Sequence, residues 1–370
     1  MEYKNEIKET KWVEFMKGLV LSGGTGTRLR PLTHTSAKQL IPVANKPVLF
    51  YALEDIRECG ITDIGIVVGH TKDEVKAAVG DGSKMGIKVT YIEQDHPGGL
   101  AHAVHIAKDF LKDEPFVMYL GDNILKEGIV RLYEAFKSSN CEVLIAVCRV
   151  KDPQRFGVVE VKDGKVVRLV EKPKVPKSDL ALAGIYFFKS SIFDAIKNIK
   201  PSWRNELEIT DAIQYLVTIN KRVEYKEITG WWKDTGKPED IIEVNQLLLK
   251  EIKTDIRGKI EDNVSINGEI IVEENTIIHS NCKLLGPIVI GKNCEIGPNT
   301  YIGPYTSIGD KTRIIGGEIE NSVIIGDTLI DCGRRIVESL IGRNSTITCM
   351  INQLPSGNKL ILGENSYITI

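Results

Sequence analysis

Lys17-Gly18-Leu19-Val20-Leu21-Ser22-Gly23-Gly24-Thr25-Gly26-Thr27-Arg28-Leu29-Arg30-Pro31 joins an apolar run to a glycine-rich turn and an arginine. The run at 18–21 reads as a buried strand. Gly23, Gly24 and Gly26 let the chain turn sharply with backbone N–H groups converging on one point. Such donors cradle phosphate oxygens. The spacing is not Gly-x-x-x-x-Gly-Lys-Ser/Thr, and Leu29 stands where a dinucleotide fingerprint places its third glycine. Hydride transfer and P-loop hydrolysis are therefore poor readings. Ser36-Ala37-Lys38-Gln39-Leu40-Ile41-Pro42 adds a second cation, so Arg28 and Lys38 flank a turn suited to a nucleoside triphosphate.

Outward from this loop, apolar runs alternate with helical patterns: 18–21 then 47–59, 64–68 then 72–79, 88–92 then 100–111, 116–120 then 129–136, and 143–147. The alternation predicts an α/β fold, a Rossmann-like mostly parallel sheet covered by helices, with ligands at the carboxyl ends of its strands. That rule puts the glycine loop and Asp122 on one edge. Between 156 and 188 the pattern changes to short strands, and Asp163-Gly164 predicts a hairpin turn between 158–161 and 166–170, in an antiparallel insertion expected to close over a ligand. Helical patterns follow at 190–199, 207–217 and 238–249.

The last third follows another rule. Every sixth residue from Ile260 to Ile314 is aliphatic, and Gly291, Gly297, Gly303 and Gly309 each follow one directly. A period of six suits strand alternation and not a helix, and it marks an internal repeat of stacked short strands. The strict register stops after Ile314, with fragments at 324–326, 340–342 and 361–363, so the final coils are expected to be irregular or capping. The predicted domains are residues 16–250 and 251–370, with the Glu- and Lys-rich residues 1–15 as an extension.

Composition bounds the partners. The 48 basic and 50 acidic residues leave a formal charge of −2, no footprint for nucleic acid or an anionic membrane. Seven cysteines, scattered and never paired as Cys-x-x-Cys, predict a reduced cytoplasmic protein without a zinc site. No apolar run approaches about 18 residues, and no signal-peptide core is present, which predicts neither export nor a membrane span. Six histidines form no metal signature. His102 and His105 share a helical face without a third ligand and read as solvated or packed.

The glycine loop with Lys-Gln-Leu-Ile-Pro downstream resembles the sugar-phosphate nucleotidyltransferases, in particular the glucose-1-phosphate thymidylyltransferases, over residues 16–249. The segment Gly230-Trp231-Trp232-Lys233-Asp234-Thr235-Gly236-Lys237-Pro238-Glu239-Asp240 is most similar to their long members. The repeats resemble the hexapeptides of left-handed parallel β-helices. The resemblance implies in-line attack by the phosphate of glucose 1-phosphate on the α-phosphorus of dTTP, giving dTDP-glucose and pyrophosphate. Such a reaction needs cations and a metal, not an activated nucleophile. Arg28 and Lys38 would hold the leaving pyrophosphate and Lys172 the attacking phosphate, with Asp122 and Asp234 on Mg²⁺. Leu21, Gly23, Gly24, Gly26, Thr27, Gln39, Gln94, Gly99 and Gly121 would line the nucleotide, the Gln94 amide matching the imide edge of the base. Gly157, Glu171, Lys172, Gly184, Glu206 and Trp232 would line the sugar phosphate. In a regular strand Glu171 and Lys172 point to opposite faces, so Lys172 is the expected functional member. Where many short members carry an Asp, this chain has Gly98.

Three other readings compete: UTP or GTP as donor, an acetyltransferase in the repeats, and a non-catalytic regulatory subunit. The second would want a histidine base, and His279 is the only histidine after position 105. Against the third, Arg28, Lys38, Asp122, Lys172 and Asp234 are all present. The flat faces of stacked strands predict a homo-oligomer.

Overall fold

The computed structural model describes residues 16–34 and 36–349. The predicted extension at 1–15 and the repeat fragment at 361–363 lie outside them. By contacts the described chain divides into two compact units, residues 16–25 with 49–232 and residues 26–48 with 233–349.

The first unit is a nine-stranded sheet flanked by helices. Its strands are β1 Lys17–Ser22, β2 Asp63–Val68, β3 Lys88–Glu93, β4 Phe116–Leu120, β5 Val143–Arg149, β6 Gly157–Lys162, β7 Lys165–Glu171, β8 Leu180–Phe188 and β9 Val223–Glu227. They run β7-β6-β8-β4-β1-β2-β3, with β5 also on β8 and β9 on β5. The four strands β4, β1, β2 and β3 are parallel, as the alternation predicts. β8 is antiparallel to β4 and β5, which makes the sheet mixed. β1, β4 and β8 are apolar nearly throughout, Leu19, Phe116 and Phe188 being fully buried, because helices cover both faces. Leu21 pairs with Leu120, so the chain leaves β1 and β4 side by side at their carboxyl ends. The predicted hairpin joins β6 to β7, with Asp163 (φ 50°) and Gly164 (φ 73°) both left-handed.

In the second unit, short parallel strands stack into three sheets of six, six and five strands, the left-handed β-helix of hexapeptide repeats. Ile270 pairs with Ile288 and Ile288 with Thr306, one coil of 18 residues, or three hexads. The aliphatics from Val272 to Ile314 point inward and are buried. Ile266, in the first coil, is instead 39% exposed, because the stack begins there. Asn263, Asn275, Asn281, Asn293 and Asn299 take the left-handed conformation at the corners, where the short amide tolerates positive φ. Thr276, Thr300, Thr306, Thr312, Cys282 and Cys294, four places after an aliphatic, fill the inside of corners.

Beyond Ile314 the coils continue, with irregular spacing. Some steps shorten from six residues to five, as where Ile319 follows Ile314 and Ile324 follows Ile319, so coils shrink to 16 or 17 residues: Tyr301 pairs with Glu318 and Ser307 with Val323. Ile319, Ile324 and Ile330 still enter the core. A strict period loses the series, but the inward register does not. The same geometry corrects the expectation of fully reduced cysteines. Cys332 and Cys349 follow paired strands one coil apart, stand 4.9 Å apart at Cα and form a disulfide. Seventeen residues of linear spacing conceal an adjacency that stacking creates. The other five cysteines form no disulfide among the described residues.

The fully buried amide of Asn245, on helix Pro238–Leu249, ties this unit together. Its Oδ1 accepts from the Ala44 N–H (2.8 Å) and the Ser307 hydroxyl (2.5 Å), and its Nδ2 donates to the Tyr305 carbonyl (2.9 Å). Asn45 Nδ2 donates to the Ile308 carbonyl beside it (2.7 Å). Asn245→Ala strands three partners, so stability should fall by about 2–4 kcal/mol. The urea midpoint reads this directly, and an unchanged midpoint removes Asn245 as a structural tie.

Candidate active site

In the first unit, the turn after β1 and the segment after β3 come together. Gln94 places its Oε1 3.0 Å from where a Cβ on Gly23 would stand, and Gly24 is exposed in the same turn. Its Nε2 lies 3.4 Å from the Gly99 carbonyl oxygen and 3.1 Å from His102 Nδ1. Gly99 has φ 97°, and a Cβ there would meet the Leu207 carbonyl oxygen at 2.4 Å. The Leu207 N–H donates to the Gly98 carbonyl (2.8 Å), and the Ala101 N–H donates to that of Leu207 (3.0 Å). Close backbone crossing therefore accounts for glycine at 99, and it fixes the Gln94 loop against the segment carrying Glu206.

At the end of β4, the Gly121 N–H donates to the Leu21 carbonyl (3.0 Å) and Asp122 is buried. Asn123 Nδ2 donates to Asp122 Oδ1 (2.9 Å), while Asn123 Oδ1 accepts from the Trp232 indole N–H (2.7 Å). Trp232 is buried edge-on against Phe156, so its polar atom already serves Asn123. Gly184 (φ 77°) lies beside Asn123 Nδ2, which a Cβ would approach to 3.2 Å.

At the end of β7 the strand breaks at Lys172, whose φ is 41°. The expected opposition of Glu171 and Lys172 fails for that reason, and Lys172 Nζ stands 3.7 Å from Glu171 Oε1. Gly157 lies under the same carboxylate, 3.1 Å from Glu171 Oε2 to its Cβ position. Arg204 is the residue sequence reasoning missed. Its guanidinium hydrogen-bonds Glu206 and lies 3.5 Å from Glu171 and 3.8 Å from Glu208. The signal was in the run Arg204-Asn205-Glu206-Leu207-Glu208, a cation among closely spaced acids. Burial, and then the charge of Glu208, hold the Glu171 carboxyl above its ordinary range, opposed by Lys172 and Arg204. The cluster offers hydrogen-bond acceptors and two cations, a combination suited to a polyhydroxylated anion.

In the second unit, Gly26 (φ 62°) opens the one-turn helix Thr27–Leu29, and its carbonyl accepts from the Thr33 hydroxyl (2.7 Å). A Cβ at Gly26 would also meet Lys38 Cβ at 3.0 Å. Gln39 is buried with an unpaired Oε1, an acceptor that asks for a donor. Gly236 lies between Arg28 and Asp234: its Cβ position is 2.8 Å from Arg28 Nη2 and 3.2 Å from Asp234 Oδ2. The hard carboxylate oxygens of Asp122 in the first unit and of Asp234 in the second are each the donor type that Mg²⁺ takes.

Two further clusters involve histidines. Asp95, His96 and His102 have ligand atoms within 4.8 Å of one another, and the His96 and His102 rings are tilted against each other with centroids 4.6 Å apart. Asp95 is already paired with His96 (2.7 Å) and His102 with Gln94, so a cation there would have to displace both partners. On the repeats, Glu261, His279, Glu295 and Arg313 line a cavity of about 330 Å³. His279 Nδ1 stands 3.2 Å from Glu261 and Nε2 3.1 Å from Glu295, so each ring nitrogen already faces a carboxylate.

No helix among the described residues is long and apolar enough to cross a membrane. Residues 17–251 match the nucleotidyl transferase family, and 269–304 match the bacterial transferase hexapeptide. The chain is 50% identical to the low-salt glycan biosynthesis nucleotidyltransferase of Haloferax volcanii, over 96% of this chain and 100% of that one. It is 49% identical to the glucose-1-phosphate thymidylyltransferase of Streptomyces antibioticus, over 96% and 99%. A Bacillus anthracis structure named for that same activity, in complex with sucrose, aligns with TM-score 0.60 at 37% identity, covering 65% of this chain and 98% of that one. The extent of these matches and the local geometry lead to one conclusion: the chain belongs to the nucleotidyl transferase family, with hexapeptide repeats following its sheet.

Proposed function

We propose that this nucleotidyltransferase makes dTDP-glucose from dTTP and glucose 1-phosphate. The observation that carries the reading is the cluster of Glu171, Lys172, Arg204 and Glu206, joined through Leu207 to the Gln94 loop. It offers a place for a sugar phosphate beside an amide that can read a base. The likeness to thymidylyltransferases supports the choice of donor and sugar.

The phosphate of the sugar is already anionic at neutral pH, so the protein has no nucleophile to deprotonate. Its contribution is placement and charge. Glu171 and Glu206 accept hydrogen bonds from sugar hydroxyls, while Lys172 and Arg204 hold the attacking phosphate. The turn at Gly23 and Gly24 presents N–H groups to the triphosphate. Arg28 and Lys38 neutralise the pyrophosphate as it leaves, and Gln39 offers its unpaired oxygen to the nucleotide. Asp122 and Asp234 would serve as ligands for Mg²⁺, which would supply further positive charge to the triphosphate when bound.

Pyrophosphate release with glucose 1-phosphate, followed in parallel with dTTP, UTP, GTP, CTP and ATP, should favour dTTP. Preference for UTP or GTP would replace the donor, and silence with all five would remove the sugar or the enzyme reading. Asp122→Asn and Asp234→Asn should each lower kcat by roughly 10²–10³-fold with an unchanged thermal midpoint. Near-normal turnover at saturating Mg²⁺ would release both carboxylates from metal binding.

A further inference from the structure

Gln94 has a side-chain oxygen and nitrogen of similar shape, and which one meets a nucleotide decides what the residue can recognise. Its surroundings fix the answer. The Gly99 carbonyl oxygen only accepts hydrogen bonds, so the atom 3.4 Å from it must be the amide nitrogen. That same nitrogen lies 3.1 Å from His102 Nδ1, which must then accept. Both protons of Nε2 are directed at protein groups, and Oε1 is left toward Gly23. The Gln94 amide thus offers an acceptor to the nucleotide, a narrower reading than donor and acceptor together.

We propose that His102 is the specificity-positioning residue of this site: its Nδ1 lone pair holds Gln94 with the oxygen outward, selecting a base that presents a ring N–H, as thymine and uracil do, over cytosine, whose N3 only accepts. This rests on the nucleotidyl-transfer reading and deepens it. The departure at Gly98 belongs to the same arrangement. A Cβ there would stand 2.6 Å from His102 Nδ1 and 3.0 Å from His96 Nε2, so any side chain at 98 would displace the ring that holds Gln94.

The device works only while Nδ1 is unprotonated. Burial, followed by the charge of His96, keeps the His102 ring below the ordinary imidazole range. From the loop His96 opposes protonation and Asp95 favours it, while His105 on the same helix opposes it. As pH falls below that range, Nδ1 gains a proton, two donors face each other, and Gln94 loses its hold.

The test uses the full-length protein and three measurements. Wild-type pyrophosphate release with dTTP comes first, and silence with dTTP and UTP overturns both this proposal and the reading beneath it. His102→Ala should then raise KM for dTTP about ten-fold and narrow the preference for dTTP over dCTP by a similar factor. His102→Asn, whose Oδ1 can accept where Nδ1 does, should restore both. The wild-type KM for dTTP should rise as pH falls below the ordinary imidazole range, and in His102→Asn that rise should vanish. An active wild type with unchanged selectivity in His102→Ala, or an Asn variant no better than the Ala variant, overturns the role of His102 alone.

Discussion

Buried polar groups must find partners; the amides of Asn245 and Asn123 meet that demand by joining segments far apart in sequence, and that of half-buried Gln94 by joining a loop to the helix that follows it. Asn245 gathers Ala44, Tyr305 and Ser307. Asn123 links Asp122 to the Trp232 indole. Gln94 binds Gly99 and His102. An amide can donate and accept at once, so each can satisfy two unlike neighbours where a hydroxyl or carboxylate would leave one unpaired. The apolar core provides the bulk of the burial, but it is indifferent to a small rotation of a loop. The amides are not, because a hydrogen bond weakens steeply as its angle closes.

The sheet and the repeats were legible because each writes a period into the chain. Leu19, Phe116 and Ile302 are buried wherever an apolar run or the six-residue rhythm places them. What escaped were events that keep register while changing count. The five-residue steps to Ile319 and Ile324 leave the inward face intact yet end a strict period, and Cys332 meets Cys349 only because one coil stacks on the next. A linear reading sees spacing, whereas a coil is defined by what returns above it.

Residue types in the site could be read as well, but not their orientations. Lys172 lies one residue beyond β7, and a single left-handed backbone angle turns it to the side of Glu171. Gln94 was recognisable as an amide near a base, but the atom it presents depends on His102, eight residues away on a helix. Arg204 had no glycine or apolar strand to announce it, and its importance comes from three carboxylates that gather only in the folded unit.

The ties at Ala44 and Asn45 also bear on the order of events during synthesis. The segment carrying Arg28 and Lys38 leaves the ribosome early, yet its partners Asn245 and Ile308 lie 201 and 263 residues later. A nascent chain can form β1 and pair it with β2 and β4 long before those partners exist. The hydrogen bond from Asn45 must wait until the coil containing Ile308 has emerged. The segment 26–48 therefore gains these two anchors from the helix and the repeats only when most of the polypeptide has been made.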